Sequence, residues 1–363
     1  MDKPYVIAYY LPQFHPFKEN DEWWGKGFTE WTNVGKAKPF YRGQLQPRVP
    51  ADLGYYDLRL PKVREQQVIL AKEAGVSAFC YWHYWFGIGR QLMNDIIDEV
   101  ANTGQPDFPF CLGWANESWK AKVWNTDGLG DRVLMKQEYG GLADYRAHYE
   151  YVREKFKNKN YVRVGGRPFF LIYKPNQIPD VTEFITLWNK WVKEDKIADG
   201  VYFVAHLDTQ SELDKWLNLG FNAGTPAHLQ RVFADFFSKN PYIQSLVNKY
   251  HRLMKLPKKV DMENLNKHIV EDGYETREDV IPFIMPQWDH TPRSGSKGYF
   301  LANATPEKFK EQVEKVLATI HKKHNKLIIL KSWNEWGEGN FMEPDLIYGK
   351  GFIKALNEAL NKK

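Results

Sequence analysis

The sequence predicts a closed parallel (β/α)8 TIM barrel, and three observations carry that prediction. Short, near-continuous apolar runs recur eight times along the chain, and helical patterns fill the gaps between them. Nearly every run delivers a polar residue at its C-terminal end: His83, Asn116 with Glu117, Lys174, His206 with Asp208, Gln287 with Asp289, and Glu335 with Glu338. An open doubly wound sheet, the alternative, gathers such residues at one switch point, whereas a barrel spreads them around its mouth. Length agrees: 363 residues hold one barrel of about 250 plus insertions. No internal repeat, low-complexity tract or linker marks a second domain, so residues 1–363 read as one catalytic domain.

Residues 5–11 form strand one, stopped by Pro12. The span from there to about residue 60 lacks clear periodicity but is dense in aromatics, among them Trp23, Trp24, Phe28, Trp31, Phe40, Tyr41, Tyr55 and Tyr56. A connection that long inside a compact domain is functional or disordered, and its aromatic content excludes disorder. It reads as a wall of a binding cleft, with Glu30 and Trp31 either lining the cleft or pinning the wall in place. Residues 60–75 form a helix with Pro61 at its start and Gly75 at its end. Strand two covers 77–86, and a helix over 91–103 leads to strand three at 108–117. Further helices at 142–157, 181–195 and 210–218 alternate with strand four at 169–174, strand five at 201–206 and the weak strand six at 221–224. Residues 227–279, lysine-rich near 249–267, are an insertion between strands six and seven. Strand seven covers 281–289, helices occupy 305–322 and 349–361, and between them the run Leu327-Ile328-Ile329-Leu330 is strand eight.

Composition narrows the function. Apolar content of 43% and charged content of 26% are those of a soluble globular protein, but 15% aromatic with 14 Trp is high. Sugar binding accounts for such an excess, because the apolar face of a pyranose packs on an aromatic ring while its hydroxyls take hydrogen bonds in plane. A Trp-rich core is the alternative for any single Trp. A net charge of +5, from 50 basic and 45 acidic residues, is too small and dispersed for nucleic acid, and leaves room for an anionic sugar. Cys80 and Cys111 lie in neighbouring apolar runs and read as small core hydrophobes. With no signal peptide and no apolar stretch near the roughly 18 residues of a membrane span, the chain reads as cytoplasmic. A secreted chain that had lost its leader would read the same way.

The chemistry centres on Glu335 and Glu338, at the end of the last strand among Trp333, Trp336 and Gly337. Glycoside cleavage needs one protonated carboxyl to serve the leaving oxygen and a second carboxylate as base or nucleophile. The alternative is an acidic pair favoured by a helix start. Period two along a continuing strand places Lys331, Trp333 and Glu335 on one side, and Gly337 and Gly339 let Glu338 fold back toward Glu335. The candidate sugar-binding residues are Trp82 and His83 from strand two, Trp114, Asn116 and Glu117 from strand three, and Tyr173 and Lys174 from strand four. His206, Trp288, Asp289, Arg293, Asn334 and Trp336 complete the set. For Asn116 the competing reading is a brace of the barrel rim, and for His83 a satisfied rim histidine. Arg293 suits a carboxylate or sulfate on the sugar, against an ion pair with Asp289 as the favoured alternative. His206 and Asp208 with His83, His15 and His290 are the set a metal would use, but paired histidines on strand one are missing, and no metal or cofactor is predicted.

Several longer stretches carry a resemblance. Residues 9–16 (Tyr-Tyr-Leu-Pro-Gln-Phe-His-Pro), the segment from Asn20 to Val34 that contains Trp23-Trp24-Gly25, residues 81–86, Trp114-Ala115-Asn116-Glu117, and Trp333-Asn334-Glu335-Trp336-Gly337-Glu338-Gly339 look like the WbsX-type family. That family is related to glycoside hydrolase family 99, the endo-α-mannosidases, and the likeness covers essentially the whole chain. Several of its members sit in polysaccharide or lipopolysaccharide gene clusters and carry a glycosyltransferase label. The resemblance implies that Glu335 acts as base on the sugar 2-hydroxyl, giving a 1,2-anhydro sugar with retention, and that Glu338 protonates the leaving group and later activates water. Gly337 departs from the mannosidases, which tend to carry a bulkier residue there.

The leading expectation is therefore a retaining glycoside hydrolase acting on a polysaccharide or oligosaccharide without a cofactor. The alternatives are a glycosyltransferase of surface-polysaccharide assembly, for which no Asp-x-Asp motif is present, and a carbohydrate-binding protein without turnover, against which the intact acid pair argues. No membrane-spanning or nucleic-acid partner is expected.

Overall fold

The computed structural model describes residues 3–121, 132–234, 241–271 and 273–362. Eight parallel strands build the sheet: β1 (Tyr5–Tyr10), β2 (Ala78–Trp85), β3 (Phe110–Trp114), β4 (Arg167–Ile172), β5 (Tyr202–His206), β6 (Ala223–Thr225), β7 (Phe283–Ile284) and β8 (Leu327–Leu330). Hydrogen-bonded neighbours follow the order β6-β5-β4-β3-β2-β1-β8-β7. A parallel bridge between Gly224 and Val280 brings the two ends together, with Gly224 N donating to Asp279 O at 2.9 Å and Ile281 N to Gly224 O at 2.8 Å. A Cβ on Gly224 would come within 2.8 Å of Leu213 and 2.9 Å of Leu207, so the near-closure depends on the missing side chain. The expected barrel is the observed one.

The strands are buried on both faces because helices cover the outside, as parallel sheets require. In chain order the helices are α1 (Lys18–Trp24), α2 (Glu30–Lys36), α3 (Pro61–Ala74), α4 (Asn94–Thr103), α5 (Gly141–Phe156), α6 (Val181–Glu194), α7 (Leu213–Asn218), α8 (His228–Val232), α9 (Pro241–Met254), α10 (Met262–His268), α11 (Thr291–Ser294), α12 (Pro306–Ile320) and α13 (Gly351–Asn361). Pro61 opens α3, and Gly75 closes it in the left-handed region at φ 85°. Cys80 and Cys111 are register partners on β2 and β3, buried and unbonded.

Three details differ from the sequence reading. The long first connection holds α1 and α2, each of seven residues and too short to show an apolar repeat; Thr29 starts α2 by accepting a hydrogen bond from Trp31 N at 3.2 Å. Strand seven shrinks to Phe283–Ile284 because Pro282 and Pro286 have no N–H to give to a ladder. The insertion supplies α8, α9, α10 and a strand, Lys258–Asp261, that pairs in parallel with Tyr299–Ala302 beyond β7. Among the described residues no helix is long and apolar enough to cross a membrane.

Candidate active site

β8 ends at Leu330, and the chain then turns into a short antiparallel hairpin that pairs Asn334 with Phe341 and Glu335 with Asn340. Trp336–Glu338 form a single tight turn, closed by Gly339 at φ 57°. A Cβ on Gly339 would lie 2.8 Å from the backbone N of Asp289, so both conformation and space require glycine there. The hairpin is fastened from below. Asn334 Oδ1 accepts from Leu11 N at 2.7 Å while its Nδ2 donates to Leu11 O at 3.0 Å. The Trp336 ring stacks on Phe341 with centroids 3.7 Å apart, and its Nε1 donates to Glu343 Oε2 at 2.6 Å. The pair of carboxylates, Glu335 and Glu338, lines the cleft at the barrel mouth.

Both meet one guanidinium. Arg293, on α11 just past β7, donates from Nη1 to Glu338 Oε1, and the same nitrogen lies 3.4 Å from Glu335 Oε2. Arg293 Nη2 sits 3.1 Å from Glu30 Oε2, which α2 brings in from the long first connection. His290 Nε2 is 3.5 Å from Glu338 Oε1. Burial alone would lower the pKa of Arg293, but Glu30, Glu338 and Glu335 outweigh it and raise the value. A Cβ on Gly337 would overlap the Glu30 carboxylate and come within 3.1 Å of Arg293 Nε. Glycine at 337 is thus the space in which the third carboxylate sits.

The acids open onto a cleft of about 300 Å³ whose walls come from most of the barrel and from the first connection, including Asn20, Trp24, Phe28 and Glu30. Tyr84 and Tyr173 line it as protonated phenols: burial comes first in both, followed by Glu335 at Tyr84 and by Glu117 and Glu338 at Tyr173. Trp82 is flanked by Tyr9 and Tyr173, with centroids 4.7 and 5.5 Å away.

Of the catalytic and sugar-binding candidates named from the sequence, Glu335, Glu338, Trp82, Glu117, Tyr173, His206 and Arg293 line this cleft. The others do not. His83 faces outward from β2, 1% exposed, its Nε2 2.9 Å from His148 Nε2 and its ring stacked on Tyr151; burial, then Lys155, pushes its pKa down to about 3. Trp114 faces outward from β3, donating to Trp85 O at 2.9 Å and stacking on Phe184. Asn116 ties β3 to β4, donating to Lys174 O at 2.8 Å and accepting from Lys174 N at 2.7 Å, while the Lys174 ammonium pairs with Asp208 at 2.6 Å. Trp288 is buried against Tyr299. Asp289 is not the partner of Arg293; its oxygens accept from Gln44, Gln46 and Thr291 and hold the turn after β7. Asn334 and Trp336 anchor the hairpin, as described. Trp333 does not share a face with Lys331 and Glu335: the strand has already ended, and Trp333 is buried beside Phe79.

Tyr9, Gln13, Tyr84, Trp119, Ser332 and Asn340 also line the cleft and are not among the site residues named from the sequence. For Tyr84 a signal was present, since period two from Trp82 reaches it. In the first connection Trp31 is a pin, donating from Nε1 to Tyr56 O at 2.7 Å, while Glu30 is part of the site. Among the described residues no group of three or more His, Cys, Asp or Glu side chains is placed to hold a metal ion.

Fold and site together define a (β/α)8 barrel with paired carboxylates at its mouth. The family model described as "Glycosyltransferase WbsX" matches residues 6–356, and the chain belongs to that family. It is 35% identical over 364 residues to the uncharacterized protein WxcX of Xanthomonas campestris pv. campestris, covering 98% of this chain and 50% of that one; the chain spans about half the length of the curated relatives it matches. Among solved structures it is similar to a glycoside hydrolase-like protein, with TM-score 0.64, 14% identity and coverage of 99% and 94% of the two chains. The endo-alpha-mannosidase of glycoside hydrolase family 99 from Bacteroides thetaiotaomicron follows in two structures. The complex with bis-tris propane has TM-score 0.56, 14% identity and 98% and 96% coverage, and the second structure has TM-score 0.52, 15% identity and 98% and 95% coverage.

Proposed function

We propose that this chain is a retaining glycoside hydrolase that cleaves an internal or terminal bond of a polysaccharide or oligosaccharide through Glu335 and Glu338, without a cofactor. The observation that carries the reading is the shared nitrogen of Arg293. Two carboxylate oxygens touching one nitrogen stand closer than the roughly 6.5–9.5 Å that inverting enzymes need for an interposed water, and suit the roughly 5–5.5 Å of retaining ones. In the first half-reaction Glu335 takes the proton of the sugar 2-hydroxyl as O2 closes on C1, the C1–O bond to the leaving group breaks, and Glu338 gives its proton to the departing oxygen. In the second, water adds to C1, Glu338 takes the water proton, and Glu335 returns its proton to O2 as the C1–O2 bond opens. Tyr84 and Tyr173 are hydroxyl donors beside the reacting ring, and Trp82 offers it an apolar face.

The family's own description favours a second reading, a glycosyltransferase of lipopolysaccharide or capsule assembly. Incubation with a panel of bacterial polysaccharides separates the two. The hydrolase releases oligosaccharides with neither nucleotide sugar nor metal added, and Glu338→Gln and Glu335→Gln each reduce release by about 10²–10⁴-fold while saccharide binding persists. Product formed only in the presence of a sugar nucleotide overturns the hydrolase reading.

A further inference from the structure

With Arg293 committed to three carboxylates, Lys331 is the buried cation of the cleft that has no carboxylate partner among the described residues. It follows the last residue of β8, its side chain is 3% exposed, and it lines the cleft floor. Its ammonium contacts a carbonyl, Pro226 O at 3.0 Å, an imidazole, His206 Nε2 at 3.3 Å, and the ring face of Phe283 at 4.6 Å. Burial drives its pKa down to about 7. A buried amine in such a setting is costly unless an opposite charge arrives. A second orphan stands beside it. Ala8 and Leu330 are the last paired residues of β1 and β8, so Tyr9 and Lys331 each follow directly on that pair, and both line the cleft. The Tyr9 hydroxyl is buried, lines the same cleft and has no hydrogen-bond partner among the described residues.

We propose that Lys331, Tyr9 and His206 form an anion subsite on the floor of the cleft, which takes a carboxylate or phosphate carried by the substrate saccharide. The inference rests on the cleft being the saccharide site and adds a substrate class: acidic glycans. Lys331 supplies the charge, Tyr9 donates its hydroxyl proton to an anion oxygen, and His206 holds the amine in place. The other titratable side chains sharing the cavity are Tyr84, Tyr173, Glu117, Lys120, and the Glu30, Glu335, Glu338 and Arg293 cluster. Burial is the cause of the Lys331 shift. Because only the ammonium form attracts an anion, binding near neutral pH takes up a proton at Lys331.

The test is a binding measurement that needs no turnover, so its failure and that of the hydrolase reading are separate results. In protein labelled with ¹³C-lysine, one Cε resonance titrates near pH 7 and disappears in Lys331→Met. Saturating glucuronate, probing a carboxylate, or inorganic phosphate, probing a phosphate, raises that midpoint by a pH unit or more, and glucose leaves it in place. The anion that moves the midpoint names the chemistry. Neither anion moving it, or glucose moving it equally, overturns the proposal. If Lys331→Met does not fold, calorimetry on the unaltered protein decides: affinity for the effective anion falls about tenfold per unit above pH 7, and a flat profile from pH 6 to 9 overturns the subsite.

Discussion

Gly337 shows how one atom sets the site. Its missing Cβ is the room occupied by the Glu30 carboxylate, which holds Arg293 from the side opposite Glu338. Gly337→Ala therefore forces Glu30 away and tilts the guanidinium that spaces the two acids. Overpacking of this kind costs about 1–3 kcal/mol. The expected outcome is a tenfold or greater fall in kcat/KM with a Tm loss of only a few degrees, and an unchanged kcat/KM would show that Glu30 has no part in holding Arg293. Lys331 makes an opposite trade. Its ordinary pKa of 10.5 falls to about 7 in the folded protein, so stability is lost as pH drops from 10.5 to 7 and the penalty is constant below. At about 1.4 kcal/mol per unit the penalty is on the order of several kcal/mol. Lys331→Met should raise Tm most at pH 6 and by nothing near pH 10.5, as thermal melts across that range will show. The cation that the proposed subsite needs thus destabilises the empty protein.

At the scale of elements, the hairpin after β8 is where the sequence was least legible. The apolar run Leu327–Leu330 announces the strand, but period two cannot be extended past its end, and Trp333 consequently turns into the core instead of sharing a face with Glu335. The same phasing explains β2 and β3. Trp82 and Tyr84 face the cleft, so the intervening His83 must face α5, and Trp114 faces α6; a polar or aromatic residue at a strand end reaches the mouth only when its parity is inward. Glu30 and Arg293 came from connections whose spatial partners no local pattern records. The hairpin's anchor is itself testable. Burial lifts Glu343 to about pKa 7, against hydrogen bonds from Trp336, Gln67 and Tyr56 that pull it down. A raised carboxyl contributes stability that is full below pH 4.5 and lost as pH climbs through 7. Trp336→Phe keeps a ring on Phe341 and removes one donor, so the carboxylate loses support, the midpoint of that loss moves above 7, and stability at pH 8 drops by about 1–3 kcal/mol. Urea unfolding of both proteins at pH 5 and pH 8 measures it; equal losses at both pH values would show that Glu343 is not the group responsible.

Across the whole molecule, the barrel's order of strands was readable because each strand is buried on both faces and so announces itself as an apolar run, while the surface of the insertion was not. α9 turns Leu246 (67% exposed) and Leu253 (70%) to solvent, a pattern that from sequence alone is indistinguishable from a core-facing stripe. α13 carries a similar stripe with the opposite fate: Phe352, Ile353, Leu356 and Leu360 are buried, where α13 packs on α3 and α12. β1, near one end of the chain, pairs with β8, and α13, near the other, covers the same region, so the ends of the described chain brace each other. If residues 1–363 are one domain, as we propose, damage at α13 must destabilise the entire barrel, and damage at the exposed face of α9 must leave it alone. Leu356→Ala removes a fully buried side chain and costs about 2–5 kcal/mol. Leu246→Ala with Leu253→Ala removes exposed ones and stays within about 0.5 kcal/mol for each substitution. Urea unfolding followed by tryptophan fluorescence and by far-ultraviolet circular dichroism should give coincident single transitions, shifted to lower urea by Leu356→Ala and unmoved by the α9 pair. Two separated transitions, with Leu356→Ala moving only one, would divide the chain into independent units.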